Sequence, residues 1–277
     1  MDILTSFYRF YISFNRHMVA SRNIKAGELI FKEAPLTYGP SETTKPICLG
    51  CYNSVTVKSP RCSKCGYPMC SAECSDKKVH KNFECQIFQQ NNYKVNADLF
   101  KYDSTEPAYS IISPIRTFLV QKSNPQLWPL IWMQMSHLTL RRKSDFWKSK
   151  TDKIVESLKN AISLSDQDVP IIEAILGIHL VNDFEIGLQD RSLEEDCSRE
   201  SIRGLFGLAS MPNHDCLANT THDFSSVEEG FVMSVRALKD IKKGEDITHN
   251  YAEPLDPILS RQTLLTLGKF FAVSFFP

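Results

Sequence analysis

The sequence has no excess of charge of either sign. Lysine and arginine together number 32, and so do aspartate and glutamate. The chain as a whole therefore has no electrostatic field that would attract nucleic acid or an anionic membrane, and we expect partners to be recognised locally. Its 277 residues allow one large domain that carries an insert, or two smaller domains, with enough chain to bury an apolar core.

Long apolar runs are also missing. No stretch approaches the length that crosses a bilayer. The first ten residues, MDILTSFYRF, lack the basic and apolar regions of a secretory signal. We therefore expect a soluble protein without membrane contact, in a reducing compartment such as the nucleus or the cytoplasm.

Cysteine is scarce except in one stretch, where seven of the nine cysteines lie between Cys48 and Cys85. With one histidine they form four close pairs: Cys48 with Cys51, Cys62 with Cys65, Cys70 with Cys74, and His80 with Cys85. Thiolate and imidazole are preferred ligands of Zn2+, and eight of them suffice for two four-coordinate ions. The alternative, a set of buried or disulfide-bonded cysteines, is disfavoured because disulfides would require export.

A second pattern is a short internal sequence repeat, which we call the echo. Residues 20–30, ASRNIKAGELI, and residues 237–247, ALKDIKKGEDI, share Ala, Ile, Lys, Gly, Glu and Ile at matching positions. Each copy predicts a strand, a turn and a second strand. Two copies are too few for a solenoid, so we expect related pieces of one β-rich domain. Between the copies lie the cysteine stretch and apolar positions with helical spacing, such as Ile154, Leu158 and Ile162.

The order of these features resembles the SET and MYND family of protein lysine methyltransferases, most of all its arthropod members. A strand unit is followed by an eight-ligand stretch like a MYND finger, a helical region, NHDCLAN at 213–219 and GEDITHNY at 244–251. The resemblance implies an α+β fold, in which a split, β-rich SET domain carries an inserted MYND zinc finger and a helical insert. The parts would be an N-terminal SET part at 1–47, the finger at 48–85, the helical insert at 86–180 and a C-terminal SET part at 181–277.

The same resemblance implies the site residues. Ligand pairs interleave in MYND fingers, which would place one ion on Cys48, Cys51, Cys70 and Cys74, and the other on Cys62, Cys65, His80 and Cys85. Tyr251 matches the catalytic tyrosine that orients the substrate lysine. The implied cofactor is S-adenosylmethionine, held by Tyr251 together with the residues that match other cofactor positions: Arg16, His17, Asn182, Asn213 and His214.

Two departures from the family pattern bear on activity. Where the family has a Gly-Arg-Gly type loop, residues 15–18 read Asn-Arg-His-Met, so side chains replace both glycines beside the expected cofactor. The family also builds a third zinc site from a cysteine equivalent to Cys216 and a later cysteine cluster. Val273 and Phe275 stand where the first two of those cysteines would fall. We therefore expect two zinc ions, a small buried role for Cys216, and no helical C-terminal domain in this sequence.

Two functions stay open at this point. The first is an S-adenosylmethionine-dependent protein lysine N-methyltransferase, with histones among the candidate substrates, that binds protein partners through its finger. The alternative is a catalytically degenerate adaptor or transcriptional regulator that acts through protein binding alone. In either case we expect a monomer that has no direct contact with nucleic acid.

Overall fold

The structure of the protein, a computed structural model, describes residues 17–42, 44–100, 108–187, 201–252, 257–263 and 265. The strands are β1 (Met18–Val19), β2 (Leu29–Glu33), β3 (Thr37–Pro40), β4 (Asp183–Gly187), β5 (Ser201–Leu205), β6 (Asn213–His214), β7 (Thr220–Phe224), β8 (Met233–Ala237) and β9 (Asp246–His249). The helices are α1 (Ala72–Ser75), α2 (Lys78–Lys81), α3 (Glu84–Gln90), α4 (Ile112–Ser123), α5 (Trp128–Trp132), α6 (Leu138–Arg141), α7 (Asp145–Ile162), α8 (Val169–Asn182) and α9 (Ile258–Thr263). Within these residues, no helix combines the length and apolar character that crossing a bilayer requires.

The chain divides into two compact units. Unit 1 comprises Met1–Pro35 and Phe206–Pro277, and unit 2 comprises Leu36–Leu205. Unit 1 is therefore built from two separate segments of the chain with a long insert between them. The mixture of strands and helices confirms the α+β prediction. The predicted domain bounds stay a prediction. In the structure, β3, β4 and β5 form one sheet in the same unit as the helices.

Unit 1 contains two three-stranded sheets. In one, β8 lies between β2 and β7 and is antiparallel to both. In the other, β9 lies between β1, which is antiparallel to it, and β6, which is parallel. Met233, Val235 and Ala237 alternate along β8 as buried residues, so one face of this strand lies in the core of the unit.

The two copies of the sequence echo lie in unit 1 and pair with each other. Ile24 and Ile241 exchange both backbone hydrogen bonds, with N–O distances of 2.8 and 2.9 Å. Equivalent hydrogen bonds flank this centre on both sides: Gly27 N–H to Ala237 C=O and Gly244 N–H to Ala20 C=O, both 2.8 Å. The repeated sequence therefore folds around a local two-fold axis that passes between the two isoleucines.

Both copies also build their turn in the same way. The glutamate of each turn accepts a hydrogen bond from a backbone N–H three residues earlier: Lys25 to Glu28 at 2.9 Å, and Lys242 to Glu245 at 2.8 Å. Gly27 and Gly244 have φ angles of +81° and +91°, in the left-handed region that glycine adopts without steric cost. The residues that match between the copies are thus those that close the turns and form the central pair.

Unit 2 packs helices against the antiparallel sheet β3-β5-β4. Its apolar core includes Val120 of α4, Ile131 of α5, Ile178 of α8 and Leu205 of β5. The apolar residues with helical spacing from 154 to 162 lie in α7, as predicted, because their period of three to four residues buries one side of that helix.

Candidate zinc centres and active site

The two C-x2-C pairs fold into the same backbone turn. Each turn closes with two backbone hydrogen bonds. In the first turn, Tyr52 N–H donates to Cys48 C=O at 2.7 Å and Cys48 N–H donates to Asn53 C=O at 2.9 Å. In the second, Gly66 N–H donates to Cys62 C=O at 2.8 Å and Cys62 N–H donates to Tyr67 C=O at 2.9 Å. The fifth residue of each turn is left-handed, with φ of 64° at Tyr52 and 81° at Gly66. Such a turn lets both cysteines of a pair face one ion.

The first ligand group consists of Cys48, Cys51, Cys70 and Cys74. Their sulfur atoms all lie within 4.8 Å of one another, and the Cys51 and Cys70 sulfurs are 3.4 Å apart. The backbone is close-packed here, since a Cβ added to Gly50 would lie 2.4 Å from the carbonyl oxygen of Cys74. The Ser71 hydroxyl accepts a hydrogen bond from the Cys74 N–H at 3.4 Å and so caps α1, which carries the fourth ligand.

The second group, Cys62, Cys65, His80 and Cys85, is buried throughout. The Cys65 sulfur lies 3.5 Å from His80 Nε2, and the Cys62 and Cys85 sulfurs are 3.7 Å apart. Hydrogen bonds from Cys65 and Cys85 lower the pKa of Cys62, whereas the bond to Cys62 raises the pKa of Cys65. The four ligand atoms all lie within 4.8 Å of one another, a spacing that suits one ion. Zinc is bound by thiolates and would take the place of the thiol protons, so this group fits a zinc ion.

His80 is oriented by a buried carboxylate. Its Nδ1 lies 2.9 Å from Glu84 Oε1, at the start of the next helix, so Nε2 is the atom that faces the thiols. A second hydrogen bond of this kind fixes the ring and tautomer of metal-binding histidines. Burial opposes ionisation of Glu84, but the charges of Arg116 and His80 outweigh it and lower the pKa of this carboxyl.

Arg116 of α4 completes this arrangement. Its Nε and Nη2 each donate to a different oxygen of Glu84 at 2.7 Å. Its Nη1 donates to the Tyr38 carbonyl oxygen at 2.9 Å and to the Tyr52 hydroxyl. The candidate zinc ligand His80 is therefore connected through Glu84 to a helix and a strand of unit 2. Sequence reasoning missed both charged residues; the position of Glu84, four residues after His80 and directly before Cys85, is the signal that could have found it.

In unit 1, the predicted residues Asn213, His214 and Tyr251 come together. Asn213 and His214 form β6, and β9 runs parallel to it and leads into Tyr251. The Tyr251 backbone N–H donates to His214 Nδ1 at 3.0 Å, and the two ring centroids are 5.5 Å apart. Among the described residues, none hydrogen-bonds to the half-buried side-chain amide of Asn213. That amide is therefore available to a ligand.

The electrostatics of this loop keep both rings neutral. Burial raises the pKa of Tyr251 to about 12, and its phenol O–H donates to the Pro212 carbonyl oxygen at 2.5 Å. Burial lowers the pKa of His214 and outweighs the nearby charge of Asp215, which acts in the opposite direction. A neutral His214 can accept at Nδ1, as its bond to Tyr251 requires.

Of the other predicted cofactor residues, His17 adjoins the sheet that contains β6, whereas Asn182 lies in unit 2. His17 precedes β1, and its Nε2 is 3.7 Å from Asp246 Oδ1 at the start of β9. Asn182 ends α8 in unit 2, where its amide nitrogen donates to the carbonyl oxygens of Met135 at 2.9 Å and Ile178 at 2.7 Å. Arg16 lies outside the described residues.

Cys216 differs from its prediction. It is exposed rather than buried, because it lies in the turn that follows β6. Its sulfur is 3.4 Å from His214 Nε2. No cluster of metal ligands in the described part of the chain includes it.

The family model described as "SET domain" matches residues 15–252. This chain belongs to the SET-domain family. The SET match encloses the cysteine stretch, so the two ligand groups lie in an insert within a SET domain, and the family prediction is confirmed.

Three curated relatives give the family context. The chain is 28% identical to the fly (Drosophila melanogaster) SET domain-containing protein SmydA-8, isoform A, over 93% of this chain and 52% of that protein. It is 24% identical to a SET and MYND domain-containing protein of Dictyostelium discoideum, over 92% of this chain and 77% of that one. It is also 24% identical to the histone-lysine N-methyltransferase ASHR1 of Arabidopsis thaliana, over 90% and 50%. The chain thus spans about half the length of the fly and plant relatives.

Proposed function

We propose that this SET protein is an S-adenosylmethionine-dependent protein lysine N-methyltransferase whose zinc finger binds protein partners. The observation that carries the proposal is the pairing of His214 with Tyr251 across β6 and β9, beside the available amide of Asn213. Membership of the SET family supports the reaction class. The name of the Arabidopsis relative supports a lysine as acceptor.

In the proposed reaction Tyr251 orients the amine. Because its O–H is used by the Pro212 carbonyl, its oxygen can offer a lone pair to the N–H of a lysine ε-amine. A free lysine has a pKa of about 10.4, so the site must take up the amine in its neutral form to leave the nitrogen lone pair available for attack. Positioning and a water-poor environment provide most of the acceleration in chemistry of this kind.

When bound, S-adenosylmethionine supplies an electrophilic methyl group. We assign its binding to Asn213 and His214 in unit 1, with Arg16, His17 and Asn182 as further contacts implied by the family resemblance. The half-buried, available amide of Asn213 fits this role because a ligand can supply the hydrogen bonds that its partly desolvated donor and acceptor atoms lack.

Zinc and partner binding complete the proposal. We propose one Zn2+ on each of the two ligand groups, and protein recognition by the folded finger between Cys48 and Cys85. The eight cysteines of the described residues are all free thiols. Such thiols require a reducing environment, so we propose the cytoplasm or the nucleus as the site of action.

A second candidate function is an adaptor that has lost catalysis. The feature that favours it is the imidazole of His17, which stands where the family has a glycine and is half-buried near Asp246. If this side chain blocks the cofactor, partner binding by the finger would be the remaining function.

Calorimetric titration of the zinc-loaded protein with S-adenosylmethionine separates the two candidates. We expect saturable binding that Asn213→Ala weakens by about tenfold, since it removes a buried amide contact. The matched control is Asn160→Ala, an exposed position on α7, and it should bind as the wild type does. No binding at millimolar cofactor would refute the methyltransferase and leave the adaptor.

The role of Tyr251 is tested separately by transfer of a labelled methyl group to a panel of lysine-bearing proteins, histones included. We expect Tyr251→Phe to lower kcat by about 100-fold or more with cofactor binding retained. Tyr93→Phe, a partly buried tyrosine in unit 2, serves as the control. Equal kcat values for wild type and Tyr251→Phe would contradict the assignment.

A further inference from the structure

A partly buried carboxylate in unit 1 has no part in the reaction proposed above. Glu33 is the last residue of β2. Its two oxygens accept four hydrogen bonds, at 2.8 to 3.0 Å, from the consecutive backbone N–H groups of Gly207, Leu208 and Ala209. One side chain of β2 therefore holds three successive amides of a segment that lies more than 170 residues further along the chain.

These amides belong to residues 206–212, which we call loop 206–212 and which lead directly into β6. Glu33 holds the first half of the loop. In the second half, the Met211 N–H donates to the Leu208 C=O at 3.0 Å, and the buried Pro212 follows. The hydrogen bonds to Glu33 therefore also determine where the loop ends and where β6 begins.

The end of this loop contacts both parts of the candidate active site. The Pro212 carbonyl oxygen accepts the Tyr251 phenol O–H at 2.5 Å. Asn213, the residue that we assign to cofactor binding, comes next and starts β6, followed by His214. The Tyr251 backbone N–H donates to His214 Nδ1 at 3.0 Å. Hydrogen bonds and short stretches of backbone thus connect Glu33 to the cofactor residues and to the tyrosine.

A charged carboxylate is the group that fits this arrangement. Each oxygen of Glu33 accepts two of the four bonds, so both atoms must be acceptors. A glutamine has one acceptor oxygen only, and its NH2 group would face N–H donors. Hydrogen bonds from backbone N–H groups to a carboxylate are charge-assisted and roughly twice as strong as neutral ones. We infer that Glu33 is a positioning residue, which holds loop 206–212 and thereby places Asn213 and the Pro212 carbonyl; the inference rests on the proposed function.

Glu33→Gln in the zinc-loaded full chain tests this inference, since it keeps the size of the side chain and removes the charge and two acceptor contacts. In calorimetric titrations we expect S-adenosylmethionine to bind about tenfold more weakly, because the Asn213 amide is misplaced. Glu28→Gln, which alters a turn glutamate of the same unit that also accepts a backbone hydrogen bond, should bind as the wild type does. So should Ile241→Ala, which removes a buried side chain and destabilises unit 1 without touching the loop.

A double-mutant cycle separates positioning from general stabilisation of the fold. Once Asn213→Ala has removed the amide, adding Glu33→Gln should weaken cofactor binding by less than about threefold. A loss of about a hundredfold, the product of two independent tenfold effects, would overturn the inference. Wild-type affinity in Glu33→Gln alone would overturn it as well.

NMR spectra of the protein without cofactor keep this inference separate from the proposed function. In Glu33→Gln the backbone amide protons of residues 207–209 should move upfield as their charge-assisted bonds weaken, and the side-chain signals of Asn213 and His214 should shift with them. In Ile241→Ala these signals should stay in place. A wild type that binds no cofactor would refute the methyltransferase, but these shifts would still test Glu33. Unchanged Asn213 and His214 signals in Glu33→Gln would contradict the positioning role in either case.

Discussion

Arg116→Met is a substitution for which this structure predicts a large loss of stability. It keeps the apolar stem of the side chain and removes the guanidinium that binds Glu84 with two hydrogen bonds of 2.7 Å. The side chains of this pair are 4% and 0% exposed, so the change leaves a buried carboxylate without its main partner. Losing one member of a buried ion pair typically costs about 3–5 kcal/mol.

Two further effects change the expected loss of stability, one increasing it and one reducing it. The Tyr38 carbonyl and the Tyr52 hydroxyl also lose a donor, at about 1 kcal/mol each. His80 still lies 2.9 Å from Glu84, which offsets part of the loss. We therefore expect the free energy of unfolding to fall by about 4 kcal/mol.

Urea unfolding of the zinc-loaded protein measures this loss. The control is Arg22→Met, which breaks the exposed pair between Arg22 and Glu28 and should cost less than about 1 kcal/mol. Glu84→Gln combined with Arg116→Met removes both buried charges, so the double variant should recover much of the stability. A loss below about 1 kcal/mol for Arg116→Met, or a double variant as unstable as the sum of the single ones, would refute the reasoning.

Three further predictions concern the zinc groups and a buried histidine. Mass spectrometry under native conditions should find two zinc ions per chain, and three ions would contradict our expectation. Chelation should unfold the finger, because metal binding supplies about 10–16 kcal/mol in small zinc modules. Gly50→Ala should reduce the zinc content to about one ion per chain, since the added Cβ would lie 2.4 Å from the Cys74 carbonyl oxygen. The control is Ser63→Ala, an exposed position in the second turn, which should retain both ions. Burial lowers the pKa of His249 to about 3, whereas a histidine in the unfolded chain has a pKa of about 6.5. The contribution of the neutral ring to stability is therefore complete above a pH of about 6.5 and is lost as the pH falls towards 3, because the unfolded chain then binds a proton that the folded protein does not. Between pH 7 and pH 5 this histidine should lower the free energy of unfolding by about 2 kcal/mol. In His249→Gln the free energy of unfolding, measured by urea titration, should fall by about 2 kcal/mol less over the same pH range. An equal fall in the two proteins would contradict the assignment.

Local sequence spacing predicted a good deal of this protein. Both cysteines of a C-x2-C pair can bind one ion through a single turn. The spacing of the residues between Cys48 and Cys85 therefore predicts the ligand pairs without any knowledge of the rest of the chain. Helical period located α7, because burial of one face is encoded residue by residue. The echo likewise predicted two similar strand-turn-strand pieces, which the turns at Gly27 and Gly244 bear out.

Only the tertiary structure decided how these pieces meet. The echo does not say that Ile24 pairs with Ile241, since strand pairing depends on the register between distant segments. The bond from Arg116 to Glu84 joins residues 32 positions apart, and no local pattern encodes it.

The pairing of β3 with β5 likewise joins residues that are far apart in the chain. Sequence thus determined what forms within a few residues, through turn geometry and helical period. Packing determined which buried charges find partners, because the partners are side chains brought together from distant parts of the chain.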